Sequence, residues 1–186
     1  QVLALYDEEI LSIDREMIRL VSTLKDENII FVFTSDHGEE FWEQGGFEHG
    51  HHTGSLLTRI PLIVWGSGIE AKGESDSVVS HSDLFHSILG LVAIEPPQKS
   101  HGLNIINQDA IPVQAVLSEN TLYDDPMLSV VNREYRLEIN QRTKGAVLWK
   151  LDQNGIETVL VRDNMVELAR PLYQVIEELR GGIESV

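Results

Sequence analysis

The residues best suited to chemistry lie between Asp36 and His52. Asp36 and His37 follow directly on the apolar run IIFVF, and the run EHGHH adds His49 and His51 a short distance further along. A carboxylate oxygen and a neutral imidazole nitrogen suit divalent cations of intermediate hardness. The pattern therefore predicts a metal site at Asp36 and His37, with the histidines of the second run as another source of ligands.

A structural role is the alternative for the same residues. Asp36 would cap a helix that follows the strand, and His37 would fill a gap in the packing. The histidines downstream favour the metal site over this alternative, because clustered histidine and carboxylate side chains are typical of metal centres.

The element that must position these residues is a strand over Ile29 to Phe33. Five consecutive apolar β-formers predict a strand that is buried on both faces, as in a parallel sheet. In such sheets ligands bind beyond the carboxyl ends of the strands, where Asp36 and His37 stand. Gly38 would let the backbone turn away tightly.

Composition narrows the class of protein. The 186 residues, 42% of them hydrophobic, suit one globular domain or a domain with a small appendage. The formal charge of -16 argues against nucleic acid as a partner, because phosphates would be repelled. The absence of cysteine excludes disulfides, thiolate ligands and a cysteine nucleophile within these residues. No apolar run approaches the roughly 20 residues of a membrane helix, and no signal peptide is visible.

Periodicity predicts the remaining elements. An amphipathic helix is expected over Val2 to Leu24, a second buried strand over Ile60 to Trp65, and a short helix over Asp83 to Val92. A soft boundary near residue 108 divides the chain into an α/β part, 1–108, and a small subdomain, 109–186.

The predicted small subdomain is an antiparallel sheet with a terminal helix. Asn154-Gly155 is a hairpin signal. A helix is expected over Asn164 to Arg180, broken or restarted at Pro171. The predicted strands are Val113 to Leu117, Met127 to Val131, Tyr135 to Ile139, Ala146 to Leu151 and Thr158 to Val161.

The order of these motifs resembles the C-terminal part of the sulfatases, in the alkaline phosphatase superfamily. The likeness is carried by YDEEILSIDREMIRLVSTL, FVFTSDHGEEFWEQGGFEHGH, LLTRIPLIVWGSGI and VVSHSDLFHSILGLVAIEPP followed by HGLNI. It covers roughly the first 110 residues strongly, and the small sheet with LWKLD more weakly. The implied fold is α/β, a mainly parallel sheet flanked by helices, with a small C-terminal antiparallel sheet and helix.

The resemblance implies metal-dependent hydrolysis of sulfate esters. Asp36 and His37 match the metal-ligand pair of the family's DHG motif, for a divalent ion such as Ca, Mn or Zn. His49 and His51 match a catalytic position that carries a substrate-binding or metal-binding His or Lys, and the sequence does not choose between them. Arg59, in RIPL, is more in keeping with a structural role. The substrate would be a small-molecule or carbohydrate sulfate or phosphate ester.

The chain departs from the family in its nucleophile. The Cys/Ser-x-Pro-x-Arg motif that supplies formylglycine does not occur in it. We therefore expect a piece of a longer protein that is inactive alone. Two alternatives stay open: a phosphodiesterase, phosphonate ester hydrolase or phosphotransferase, since many sulfatases have Asn where His37 stands, or a module that binds metal without turnover.

Overall fold

The computed structural model describes residues 1–25, 27–70, 72–98, 100, 102–106, 115–161 and 163–183. Four helices and nine strands are assigned within these ranges. The elements up to residue 106 are α1 (Val2–Leu24), β1 (Ile30–Thr34), β2 (Glu40–Phe41), β3 (Phe47–Glu48), α2 (Ser55–Thr58), β4 (Leu62–Gly66) and α3 (His81–Leu91). The elements from residue 115 onward are β5 (Val116–Asn120), β6 (Met127–Val131), β7 (Tyr135–Asn140), β8 (Ala146–Leu151), β9 (Glu157–Val159) and α4 (Met165–Ile183).

The direction of the β1–β4 pair differs from the predicted parallel sheet. The two strands pair antiparallel, with Ile30 opposite Gly66 and Thr34 opposite Leu62. Parallel strands need a long crossover, usually a helix, to return the chain to the opposite end of the sheet. Here the connection holds only the β2–β3 hairpin and the four-residue α2. The connection joins the end of β1 to the neighbouring start of β4, and two strands joined in this way pair antiparallel.

Burial of β1 also differs from the prediction. All five of its residues are half-buried rather than enclosed on both faces. β4 is its one hydrogen-bonded neighbour among the described strands. The helix α1 has the predicted bounds, and none of its residues is buried.

The helix α3 starts two residues earlier than predicted, behind a capping box. Asp83 Oδ2 accepts hydrogen bonds from both the backbone N–H and the hydroxyl of Ser80. Its Oδ1 accepts a third from the backbone N–H of Leu103 at 2.8 Å. The buried Asp83 therefore fixes the start of the helix and the loop that follows it.

The well-packed core lies in the C-terminal part of the described chain. Strands β5 to β9 form an antiparallel sheet in sequential order, and α4 packs against β6 and β7. Hairpin formation between β8 and β9 at Asn154-Gly155 is confirmed. The core consists of apolar side chains from both layers: Leu128, Val130, Leu137, Leu148, Leu160, Ala169, Leu172 and Ile176.

Two predictions in this part need correction. Strand β5 starts at Val116, beyond the predicted Val113, and residues 107–114, which include the predicted boundary, lie outside the described residues. The helix α4 runs through Pro171 without a break. Pro171 is exposed there, and the buried side chains on either side of it, Ala169 and Leu172, hold the helix on the sheet.

Membrane insertion by a helix finds no support in the described residues. None of the four helices combines the length and the apolarity that a bilayer crossing requires.

Candidate functional site

The segment that follows β1 is shaped by Gly38. Its backbone N–H donates to the carbonyl of Leu57 at 2.8 Å. A Cβ at position 38 would meet the carbonyl oxygen of Leu56 at 2.0 Å. Glycine is therefore required by close approach of two backbone segments. No helix follows Asp36, so the alternative in which Asp36 caps one is wrong.

His37, Glu39 and His49 converge at this end of the β1–β4 pair. Each offers one ligand atom, and these atoms lie within 4.8 Å of one another. The two imidazole rings are 3.9 Å apart between centroids. Glu39 Oε1 lies 2.9 Å from Nδ1 of His49 and 3.8 Å from Nδ1 of His37. His37 and His49, from the two predicted runs, therefore lie close together, and Glu39 contacts both of them.

The hydrogen bonds of these histidines fix which ring nitrogen is free. Nδ1 of His37 lies 2.9 Å from the carbonyl oxygen of Gly38, and Nδ1 of His49 is bonded to the Glu39 carboxylate. Carbonyl and ionised carboxylate oxygens only accept, so each Nδ1 carries a proton. In the neutral form of each ring, Nε2 then carries the lone pair that a metal ligand requires.

Asp36 lies on the other side of His37. Its Oδ2 is 3.6 Å from Nε2 of His37, and its side chain is 84% exposed. A hydrogen bond from the backbone N–H of His37 lowers the pKa of Asp36 below its ordinary value. Asp36 is thus a carboxylate at neutral pH, next to the free nitrogen of His37.

His51 contacts a different part of the chain. Its Nδ1 lies 3.0 Å from Asp124 Oδ2, and its ring stacks on Tyr123 with 5.2 Å between centroids. Both partners lie in the loop between β5 and β6. Of the two predicted catalytic histidines, His49 therefore lies in the candidate metal cluster, and His51 contacts the loop between β5 and β6.

The half-buried His52 pairs with the buried Glu40. His52 Nε2 lies 2.7 Å from Glu40 Oε2, and Nδ1 of His52 accepts the backbone N–H of Gly54. Burial alone would raise the pKa of Glu40, but hydrogen bonds from Gly46, His52 and Gln44 lower it below its ordinary value. The position of Glu40 in an acidic run, DHGEE, favours a solvent-facing acid, but its side chain is 1% exposed.

Several other polar residues that could do chemistry have structural partners. His81 Nε2 lies 2.9 Å from the carbonyl oxygen of Ser35 and His86 lies between Ser82 and Ser100, while His101 is outside the described residues. The hydroxyl of Ser35 donates to the carbonyl of His37. The same hydroxyl lies 3.4 Å from Asp36 Oδ1, so Ser35 contacts both residues of the predicted metal pair.

A groove of about 1260 Å³ runs from the cluster to the C-terminal sheet. Its lining combines the candidate site with residues of strand β5 and the turn after β8: Asp36, His37, His49, His81, Asn120 and Gly155. Arg59 lies against Gly155, whose added Cβ would meet the guanidinium nitrogen Nη1 at 2.2 Å. The structural role that the sequence favoured for Arg59 agrees with this packing.

Comparison with known proteins identifies the family. The Sulfatase family model matches residues 1–94, half of the chain. The chain is 39% identical over 72 residues to GPI ethanolamine phosphate transferase 1 of Aspergillus fumigatus, a match to 38% of this chain and 6% of that protein. It is 31% identical over 83 residues to arylsulfatase K of Bos taurus, a match to 41% of this chain and 14% of the relative.

A solved structure extends the likeness to almost the whole chain. The structure of BT4656 in complex with its substrate D-glucosamine-2-N,6-O-disulfate matches with a TM-score of 0.73 and 18% identity, over 95% of this chain and 40% of that one. The chain thus spans well under half the length of these relatives. Its fold is the α/β fold of the alkaline phosphatase superfamily, and with a family model matching half of its residues, the chain belongs to the sulfatase family.

Proposed function

We propose that the protein of which this chain is a part hydrolyses sulfate esters with a divalent metal ion bound at Asp36 and His37. The observation that carries the proposal is the convergence of His37, Glu39 and His49 within 4.8 Å in a chain of the sulfatase family. One carboxylate oxygen and two imidazole nitrogens form a donor set that fits Zn or Mn, and Ca is the alternative that the family's oxygen ligands suggest.

The residues have separate roles in this proposal. Asp36 and His37 would hold the ion, whose positive charge would offset the negative charge of the ester's non-bridging oxygens. Glu39 would keep the Nδ1 proton of His49 in place, so that Nε2 of His49 is available as a further ligand beside Asp36 and His37. The nucleophile comes from sequence outside these 186 residues.

Metal content of the purified chain tests the site. We expect stoichiometric Zn, Mn or Ca by plasma mass spectrometry after equilibration with each ion, and its loss in Asp36→Ala and His37→Ala. His51→Ala is the matched control, because His51 is bonded to Asp124 rather than to the cluster. A chain that binds none of the three ions, or a His37→Ala variant that keeps its metal, would overturn the proposal.

Phosphate ester chemistry is the second candidate. It is favoured by His37, which stands where many sulfatases have Asn, and by the similarity to an ethanolamine phosphate transferase. The longer protein assayed on 4-nitrophenyl sulfate and on bis(4-nitrophenyl) phosphate separates the two. Preference for the sulfate supports the first proposal, and preference for the phosphodiester replaces it. Metal binding with turnover of neither ester would identify a non-catalytic module.

A further inference from the structure

A buried arginine links the C-terminal sheet to the histidine segment. Arg136, on β7, is 2% exposed. Its Nε and Nη2 donate to the two carboxylate oxygens of Glu157 at 2.6 and 2.8 Å, and its Nη1 donates to Glu138. The guanidinium also lies 5.1 Å from the ring of Trp149. All the charged groups of this cluster therefore have partners with good geometry.

The carboxylates of Glu138 and Glu157 also accept hydrogen bonds from residues that follow the histidines. Glu157 Oε1 accepts hydrogen bonds from the backbone N–H and the hydroxyl of Ser55, at 3.2 and 2.6 Å. Glu138 Oε2 accepts the hydroxyl of Thr53 at 3.2 Å. Thr53 follows His52 directly and is 2% exposed. The Arg136 cluster thus fixes the chain immediately after the histidine run.

A second contact from the same sheet reaches the middle of that run. The side-chain amide of Asn120 donates to the carbonyl of Gly50 at 2.6 Å, and the backbone N–H of Tyr123 donates to the same carbonyl at 3.3 Å. Gly50 lies between His49 and His51. The histidine run is therefore held at both Gly50 and Thr53–Ser55 by the C-terminal sheet.

Stability alone is a poor explanation for a cluster of this kind. The desolvation of buried ions offsets much of their attraction, and apolar replacements of similar volume are often as stable. The geometry of the cluster has a more specific consequence, because Glu138 and Glu157 accept hydrogen bonds from donors that lie four and six residues after His49.

We propose that Arg136 is a positioning residue, which through Glu138 and Glu157 places His49 against Glu39 and His37. The C-terminal sheet then contributes to the active site through this cluster. This inference rests on the proposed function, because it assigns the cluster to the same metal-dependent site.

Variants that remove the side-chain hydrogen bonds from Thr53 and Ser55 to the two carboxylates test the inference. Ser55→Ala and Thr53→Val delete hydroxyl donors but leave both Arg136 ion pairs intact. We expect the double variant to bind Zn or Mn about tenfold more weakly, the lower end of the range for residues that orient metal ligands. The melting temperature should stay near that of the unmodified chain. Ser55→Thr, which keeps a hydroxyl, should restore binding in the Ser55 variant.

Ser87→Ala is the matched control, because it deletes a buried hydroxyl in α3 that donates to the carbonyl of Asp83. It should leave metal affinity unchanged. Arg136→Met removes the whole cluster and is the more severe variant. If the Arg136→Met protein does not fold, the Ser55 and Thr53 variants still test the inference. Equal metal affinity in the double variant and the unmodified chain would overturn the inference.

A readout without metal separates this inference from the proposed function. Long-range proton–nitrogen spectra of the imidazoles report the Nδ1 proton that His49 shares with Glu39. We expect the His49 resonances to shift in the double variant and to remain in place in Ser87→Ala. If the unmodified chain binds no metal, the proposed function fails, and these spectra still decide whether the cluster positions His49. Unchanged His49 resonances would contradict the inference.

Discussion

At the residue scale, the roles of the four histidines between residues 37 and 52 are decided by the hydrogen-bond partners of each ring. His37 and His49 each have Nδ1 on an acceptor and keep Nε2 free, whereas His52 uses both nitrogens, on Glu40 and on the backbone N–H of Gly54. A histidine with both nitrogens bonded has no lone pair for a metal. The residue type alone could not separate these roles.

Glu39 is a functional candidate that the structure adds to the predicted residues, because it lies between His37 and His49. We expect Glu39→Gln to weaken Zn or Mn binding by about tenfold or more, the effect typical of a carboxylate that orients a histidine ligand. Isothermal titration calorimetry measures this. Glu48→Gln is the control, because Glu48 is an exposed acid on β3 next to His49. Equal affinity losses in both variants would assign the effect to net charge rather than to the Glu39–His49 bond.

At the scale of elements, packing overrides local propensity in α4. The proline ring removes a backbone N–H and crowds the preceding turn, which led to the predicted break. The helix nevertheless continues from Met165 to Ile183, since Ala169, Leu172 and Ile176 are buried against the sheet. Tertiary contacts therefore stabilise a helix that its sequence alone disfavours.

The cost of that proline is open to measurement. Pro171 is exposed, so Pro171→Ala removes no buried contact and restores a backbone donor. We expect the free energy of unfolding to rise by about 1–3 kcal/mol, measured by urea denaturation. Arg170→Ala, at the exposed neighbouring position, should change it by no more than about 0.5 kcal/mol. A destabilised Pro171→Ala protein would contradict this account of α4.

At the scale of the whole molecule, the first 66 residues and the C-terminal sheet meet through buried charges. Burial alone would raise the pKa of Glu157, but hydrogen bonds from Arg136 and Ser55 and the charge of Arg136 lower it below the ordinary value of 4.5. A carboxyl group whose pKa is lower in the folded state stabilises the fold above its unfolded pKa. That contribution is lost as the pH falls through the folded value.

The lowered pKa of Glu157 predicts that the folded protein loses stability in acid. We expect the free energy of unfolding to decrease as the pH falls below about 4.5, and to decrease less steeply in Glu157→Gln than in the unmodified chain. Urea denaturation at a series of pH values gives the slopes. Glu177→Gln, which changes an exposed acid of α4, should keep the slope of the unmodified chain. A Glu157→Gln protein with an unchanged slope would exclude this ion pair as a source of the acid sensitivity.

Local patterns in the chain were enough to locate most of the elements and the two runs that form the candidate site. The bounds of α1, β6 and β8, the Asn154-Gly155 hairpin and the Asp36-His37 pair all depend on residues close in sequence, whose periodicity and turn chemistry act locally. Tertiary structure decided the antiparallel direction of β1 and β4, the continuity of α4, the burial of Glu40, the partner of His51 and the Arg136 cluster. Each of these depends on contacts between residues far apart in the chain, as between Ser55 and Glu157. Hydrogen bonding and burial at such contacts are set by the fold, and neither spacing nor residue type in one segment specifies them.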